Sequence, residues 1–269
     1  MDRRQMLRLG MGLGAGLGVG ALGAPRFATA APPRPRTYVL VHGAWHGGWC
    51  WRDVADALRA RGHRVVTPTL TGLGERAHLM SRDITLDTFG TDVAAAIESE
   101  ELSDVVLVGH SFAGSVVSIL AERMPERLDR LVYLDALIVQ PGRTVFDSLR
   151  PETVAARKRT AQETSGGLSI PAPGPEAFGV PEGPGADWLR RRLTPHPIGT
   201  YDSPLNIRGP VGGALTRTYV RCTAPPFPSM LESHAWVRSQ PGWGWIDFAT
   251  GHDCMVTEPA KLTAMLEAI

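Results

Sequence analysis

Lysine is nearly missing from this 269-residue chain: of 28 basic residues, only Lys158 and Lys261 are lysine and the rest are arginine. That leaves almost nothing to serve as a Schiff-base nucleophile, and no Lys-Ser/Thr pair of the kind a phosphate-binding loop uses. Cysteine is scarce too. Cys50, Cys222 and Cys254 are too few and too scattered for a disulfide scaffold or a four-ligand zinc site. Neither charge sign dominates, with 28 basic against 27 acidic residues, so no electrostatic grip on nucleic acid is expected. The charge-free run Leu9–Leu22 falls short of the ~20 residues a membrane-spanning helix needs. What is present, 43% hydrophobic and 20% charged residues, is globular composition at the size of one α/β domain or two small ones.

Residues 1–30 read as an address. Arg3 and Arg4 precede a weakly apolar segment with Gly at positions 10, 12, 14, 16, 18 and 20, ending at Ala28-Thr29-Ala30, a small-x-small cleavage site. This is the pattern of a twin-arginine signal peptide, with a general secretory signal as the alternative. A mature chain from about Ala31, with no stable membrane anchor, is expected in the periplasm or outside the cell. There Cys222 and Cys254, each following a predicted strand, would form one disulfide, or all three cysteines would stay buried thiols.

Across residues 31–269 short apolar runs alternate with amphipathic stretches, which predicts an α/β fold with a mostly parallel sheet flanked by helices. Strands are expected at Tyr38–Val41, Arg64–Thr67, Val105–Val108, Leu131–Leu134, Thr218–Arg221 and Trp245–Phe248. Helices are expected at about Trp51–Arg61, Leu86–Glu101, Phe112–Arg123, Met230–Ser239 and Pro259–Ala268, the last capped by Thr257. Residues 140–213 break the rhythm. No clear strand is visible, and Pro171, Pro173, Pro175, Pro181 and Pro184 crowd too closely for a helix. The reading is a cap insertion over the C-terminal edge of the sheet, with Phe178, Trp188 or Tyr201 as pocket walls, against a solvated loop as the alternative.

Three segments carry chemistry. In Val108-Gly109-His110-Ser111-Phe112-Ala113-Gly114 a buried strand ends in Gly-x-Ser-x-small and a helix follows at once. That context places Ser111 on a tight strand-to-helix turn as a nucleophile, with small neighbours because the strand and helix backbones nearly touch. The Gly-rich loop His42-Gly43-Ala44-Trp45-His46-Gly47-Gly48-Trp49 also follows a strand. Acyl transfer needs backbone N–H groups for a tetrahedral oxyanion, and Ala44 and Phe112 are the candidates. Trp45, His46 and Trp188 are expected to contact substrate. Finally Gly251-His252-Asp253, after the last strand, offers His252 as the base that takes the serine proton. His63, His78, His196 and His234 have no such context.

These motifs resemble the α/β-hydrolase superfamily, and more narrowly the hydroxynitrile lyase and plant methylesterase branch with its bacterial esterase relatives. Thr69–Arg76 and Tyr133-Leu134-Asp135-Ala136 resemble the bacterial members in particular. The resemblance runs from about Thr37 to the C-terminus and is weakest across the cap. In the plant relatives the acid follows the next-to-last strand, but Tyr219–Phe227 contains no carboxylate. Asp135, at the end of the strand after the nucleophile strand, is the preferred acid; Glu232 or Asp253 is the alternative. The lyases place a Thr in the oxyanion loop and a Lys after the catalytic His, where this chain has Gly43 and Asp253. The resemblance therefore implies a serine hydrolase cleaving small carboxylic esters, apolar or aromatic, with no metal or cofactor, and residues 1–30 add the expectation that it is exported. A hydroxynitrile lyase and a non-catalytic ligand-binding protein on the same fold are the rivals.

Overall fold

The computed structural model describes residues 34–269, so the signal peptide expected at 1–30 lies outside the described residues. Six strands build the main sheet: β1 (Thr37–Val41), β2 (Arg64–Val66), β3 (Val105–His110), β4 (Leu128–Leu134), β7 (Thr216–Cys222) and β8 (Trp243–Phe248). A separate two-stranded antiparallel pair, β5 (Ser169–Ile170) and β6 (His196–Pro197), lies between β4 and β7 in the chain. The helices are α1 (Arg52–Ala60), α2 (Leu86–Ser99), α3 (Gly114–Arg123), α4 (Pro151–Ser165), α5 (Pro184–Arg190), α6 (Gly199–Asp202), α7 (Leu231–Ser239), α8 (Cys254–Thr257) and α9 (Pro259–Ala268). None of these is long and apolar enough to cross a membrane.

The sheet order is β2-β1-β3-β4-β7-β8, and every neighbouring pair is parallel. All six expected strands are present. Parallel strands covered by helices on both faces must be apolar throughout, and β3 is buried at all six positions. Alternate residues feed two cores. Val39, Val41 and Leu107 pack on one face of the sheet; Tyr38, Leu40, Val106 and Val108 pack on the other. The chain leaves β1 toward β2 on one side and returns to β3 on the other. Such a reversal opens a crevice beyond the C-terminal ends of β1 and β3, where ligands bind in open α/β sheets.

Helix ends follow local chemistry. The Thr85 hydroxyl accepts from Thr88 N and the Thr88 hydroxyl accepts from Thr85 N, a reciprocal cap at the start of α2. At α9 the expected Thr257 cap is corrected. Glu258 precedes Pro259, while Thr257 closes α8 and its hydroxyl donates to Asp253 O.

Residues 140–213 also differ from expectation, for they contain α4, α5, α6 and the β5–β6 pair. Pro171, Pro173 and Pro181 lie between these elements, and Pro151 and Pro184 head α4 and α5, where a missing N–H costs nothing. Cys50, Cys222 and Cys254 are buried free thiols in the core beneath the second face of the sheet.

Candidate active site

Three loops at the C-terminal edge of the sheet converge on Ser111. The serine heads the turn between β3 and α3 with φ +55°, a left-handed backbone that a non-glycine residue adopts only when its surroundings enforce it. A Cβ on Gly109 would stand 2.4 Å from Val117 Cγ2 and 2.8 Å from Ala113 O, and one on Gly114 would stand 2.2 Å from Leu137 O. The elbow closes because both positions lack a side chain. Asp135 at the end of β4 (φ +41°) and Trp45 after β1 (φ +66°) are left-handed as well, so three non-glycine residues with this strain stand at one edge.

His252, on the loop between β8 and α8, links two of these elements. Its Nε2 lies 2.8 Å from Ser111 Oγ and its Nδ1 lies 2.7 Å from Asp135 Oδ2. Burial alone would raise the Asp135 carboxyl, but hydrogen bonds from His234 and His252 outweigh it and hold the group at about 2. Asp135 is therefore ionised and accepts only. The Nδ1 of His252 must carry the proton, leaving Nε2 free to accept the Ser111 hydroxyl proton. Glu232, the alternative acid, is exposed in the first turn of α7. Asp253 is engaged elsewhere.

The loop after β1 passes under the serine. A Cβ on Gly43 would stand 2.9 Å from Ser111 Cβ, so glycine is what admits this approach. Histidines fix the two peptide planes around Ala44. His42 Nδ1 lies 2.8 Å from Gly43 O, and Leu70 N–H donates to the other His42 nitrogen. In a trans peptide plane C=O and N–H point opposite ways, so drawing Gly43 O toward His42 aims the Ala44 N–H away from it. In the next plane His46 Nδ1 donates to Ala44 O at 2.8 Å, and Trp45 N–H donates to His196 Nδ1 at 3.3 Å. Among the described residues the Ala44 N–H has no acceptor. The Phe112 N–H lies in the first turn of a 3-10 helix, where no intrahelical acceptor is available.

Substrate-contact expectations fare differently. The Trp45 ring is buried, donates to Ile170 O, and floors a cavity of about 310 Å³ with Arg157, Thr160, Ile170 and Pro173. His46 is 1% exposed, with both ring nitrogens committed to Ala44 O and Asp253 Oδ2, so it braces the site from beneath. Trp188 packs edge-on against Trp49 between the guanidinium groups of Arg52 and Arg192. Phe178 faces His252 at 6.4 Å between ring centres, and Tyr201 packs on Phe112 at 5.0 Å.

Three residues without a sequence signal join the site. His234 Nε2 lies 3.2 Å from Asp135 Oδ1, His196 braces Trp45, and Phe227 stacks on His252 at 4.0 Å. His110, His252 and Asp253 bring donor atoms within 4.8 Å of one another, the geometry a metal ion would require. Both nitrogens of His252 are already hydrogen-bonded and Asp253 Oδ2 pairs with His46, which leaves His110 Nδ1 and Asp253 Oδ1 as the two unpartnered donors of the set, fewer than the three protein ligands of a zinc site.

A profile of the alpha/beta hydrolase family matches residues 38–265. A carbendazim hydrolyzing esterase from Nocardioides sp. is 42% identical over 242 residues, covering 86% of this chain and 98% of that protein. A pyrethroid hydrolase from Sphingobium wenxiniae is 34% identical over 145 residues, 53% of this chain and 48% of that one. Among solved structures, an extracellular alpha/beta-hydrolase from a Paenibacillus species superposes with a TM-score of 0.70 at 25% identity, covering 86% of this chain and 98% of that one. With its parallel sheet, its strained serine elbow and a family match across nearly all the described residues, the chain belongs to the α/β-hydrolase family.

Proposed function

We propose that this protein is an exported serine esterase acting on small, apolar or aromatic carboxylic esters, with residues 140–213 as the cap over its site. The observation that carries the reading is the unbroken chain Ser111 Oγ to His252 Nε2 and His252 Nδ1 to Asp135 Oδ2, both links within hydrogen-bond distance. His252 removes the Ser111 proton as Oγ attacks the ester carbonyl. Asp135 fixes the tautomer and steadies the imidazolium that forms. The N–H groups of Ala44 and Phe112 receive the oxyanion, a contribution of several kcal/mol. The imidazolium then gives its proton to the departing alkoxide, leaving Ser111 acylated. A water deprotonated by His252 attacks the acyl carbon, and the acid departs as Ser111 regains its proton.

Phe178 and Phe227 around His252 suit apolar or aromatic esters, and similar proteins are named for carbendazim and pyrethroid hydrolysis. The lyase reading loses ground at Asp253. The position holds a carboxylate bound to His46, where a cyanide leaving group would need a cation. The test is hydrolysis of p-nitrophenyl esters of graded chain length by the mature protein beside Ser111→Ala. The native protein should turn over and Ser111→Ala should lose about 10⁴-fold or more in kcat with folding intact. Retained activity in Ser111→Ala would overturn the mechanism. Export is checked by fractionating cells that express the full chain and locating the protein and the start of its mature form.

A further inference from the structure

Beneath the proposed catalytic groups lies a second acid–histidine contact that the mechanism does not use. His46 Nε2 is 3.0 Å from Asp253 Oδ2, with the two side chains 1% and 0% exposed. Proton bookkeeping decides its state. Ala44 O only accepts, so His46 Nδ1 carries a proton. The contact from Nε2 to a carboxylate then needs a second proton on the ring or one on Asp253. Burial works against charge on both groups, yet each is held charged by the other: Asp253 draws His46 up, and His46 draws Asp253 down. Both directions favour an imidazolium facing a carboxylate over a neutral pair. The other Asp253 oxygen has no hydrogen-bond partner, with His110 Nε2 4.0 Å away and committed to His252 O. His46 is thus the one side chain hydrogen-bonded to this buried carboxyl.

Such a pair is a poor source of stability, because removing two charges from water offsets most of their attraction and a well-packed apolar pair would serve as well. Its position suggests another role. Asp253 follows His252 directly, and His46 grips the carbonyl of Ala44. One bond therefore ties the loop carrying the general base to the loop carrying the oxyanion donor.

We propose that His46 and Asp253 are a positioning pair, an imidazolium–carboxylate bond that sets the Ala44 N–H and the His252 ring in register before substrate arrives. The proposal rests on the esterase reading above. Neither residue touches the reacting atoms, so losing the pair misplaces the oxyanion donor without removing it. The expected effect is smaller than the ~10²–10³-fold cost of deleting such a donor outright.

Two measurements test this on the mature protein. In ¹⁵N-edited NMR at neutral pH, both ring nitrogens of His46 should be protonated; a ring with one bare nitrogen overturns the proposal even if no variant folds. In kinetics, Asp253→Asn should lower kcat about 10–100-fold with KM within about twofold, at temperatures well below the melting point of the variant. Fluorophosphonate labelling of Ser111 should slow in proportion. The double variant His46→Gln/Asp253→Asn should lose no more than the worse single variant, because one interaction is removed only once. An unchanged kcat, a loss confined to KM, or additive losses overturn the proposal. Absence of ester turnover by the native protein would overturn the esterase reading instead, leaving the ring-nitrogen spectrum to decide the charge state of the pair.

Discussion

Asp135 receives two imidazoles: His252 Nδ1 on Oδ2 at 2.7 Å and His234 Nε2 on Oδ1 at 3.2 Å, with the Cys222 N–H also on Oδ1 at 3.2 Å. The carboxylate that holds the His252 ring is thereby held itself, from α7 and from the end of β7. Removing the acceptor and removing one of its supports should differ sharply. Asp135→Asn is expected to cost about 10⁴-fold in kcat by presenting the wrong partner to His252. His234→Gln should cost roughly tenfold, the scale of one orienting hydrogen bond. Ester hydrolysis by the two variants side by side checks both; equal losses would mean that His234 does more than support.

The space at Gly43 yields a second expectation. A methyl group there would press on Ser111 Cβ at 2.9 Å and His110 Nδ1 at 3.0 Å, forcing the loop after β1 away from the serine. Gly43→Ala should fold and keep KM within a few-fold while kcat falls about 10²-fold, as for a misplaced oxyanion donor. A steady-state comparison with the native protein reads this directly.

Gly114 is a folding position. Its added Cβ would meet Leu137 O at 2.2 Å, and a backbone carbonyl cannot rotate out of the way as a side-chain tip does. Gly114→Ala is expected to destabilise the protein by about 3 kcal/mol through overpacking, lowering its urea midpoint.

Acid should weaken the fold before it protonates the carboxylates. Burial pushes His42 and His110 down to about 3, whereas in the unfolded chain each titrates near 6.5. Between these values the unfolded state binds protons that the folded state refuses. Their contribution is complete above pH 6.5 and is lost as the pH falls, with a slope of about 1.4 kcal/mol per pH unit for each histidine. His46, raised by Asp253 against its burial, has the opposite sign: complete below 6.5 and fading as the pH rises through its raised value. Asp135, held at about 2, adds loss only from about pH 4 downward. Urea midpoints measured from pH 9 to pH 4 should peak near or just above 6.5 and fall on the acid side. A flat profile down to pH 4 would contradict the buried neutral histidines.

Where the chain advertises its structure, it does so through burial. The apolar run Val105–Val108 announces β3, and Gly109, Ser111 and Gly114 announce the elbow, because a strand covered on both faces and two touching backbones leave few residue choices. The 15-residue helix α4 is hidden for the converse reason. It buries only Ala161, so Pro151–Ser165 carries no apolar stripe for a 3.6-residue period to display. His234 and His196 were equally hidden. Each acts on a residue far away in the chain, Asp135 at a separation of 99 and Trp45 at 151, and neither partner leaves a mark beside it. Ser111 and Asp135 each directly follow the last residue of a strand and His252 lies on the loop after β8, so the order of strands in the sequence already places all three at one edge of the sheet.

Trp45 is fastened to the segment between β4 and β7 at three points: its N–H on His196, its C=O under the Thr194 N–H, and its indole on Ile170 O. The Trp45 N–H belongs to the same rigid plane as the carbonyl of Ala44. Through that plane the orientation of the Ala44 carbonyl is anchored by residues 125 to 151 positions further along the chain, so the loop after β1 takes its shape from a segment that folds far from it in sequence.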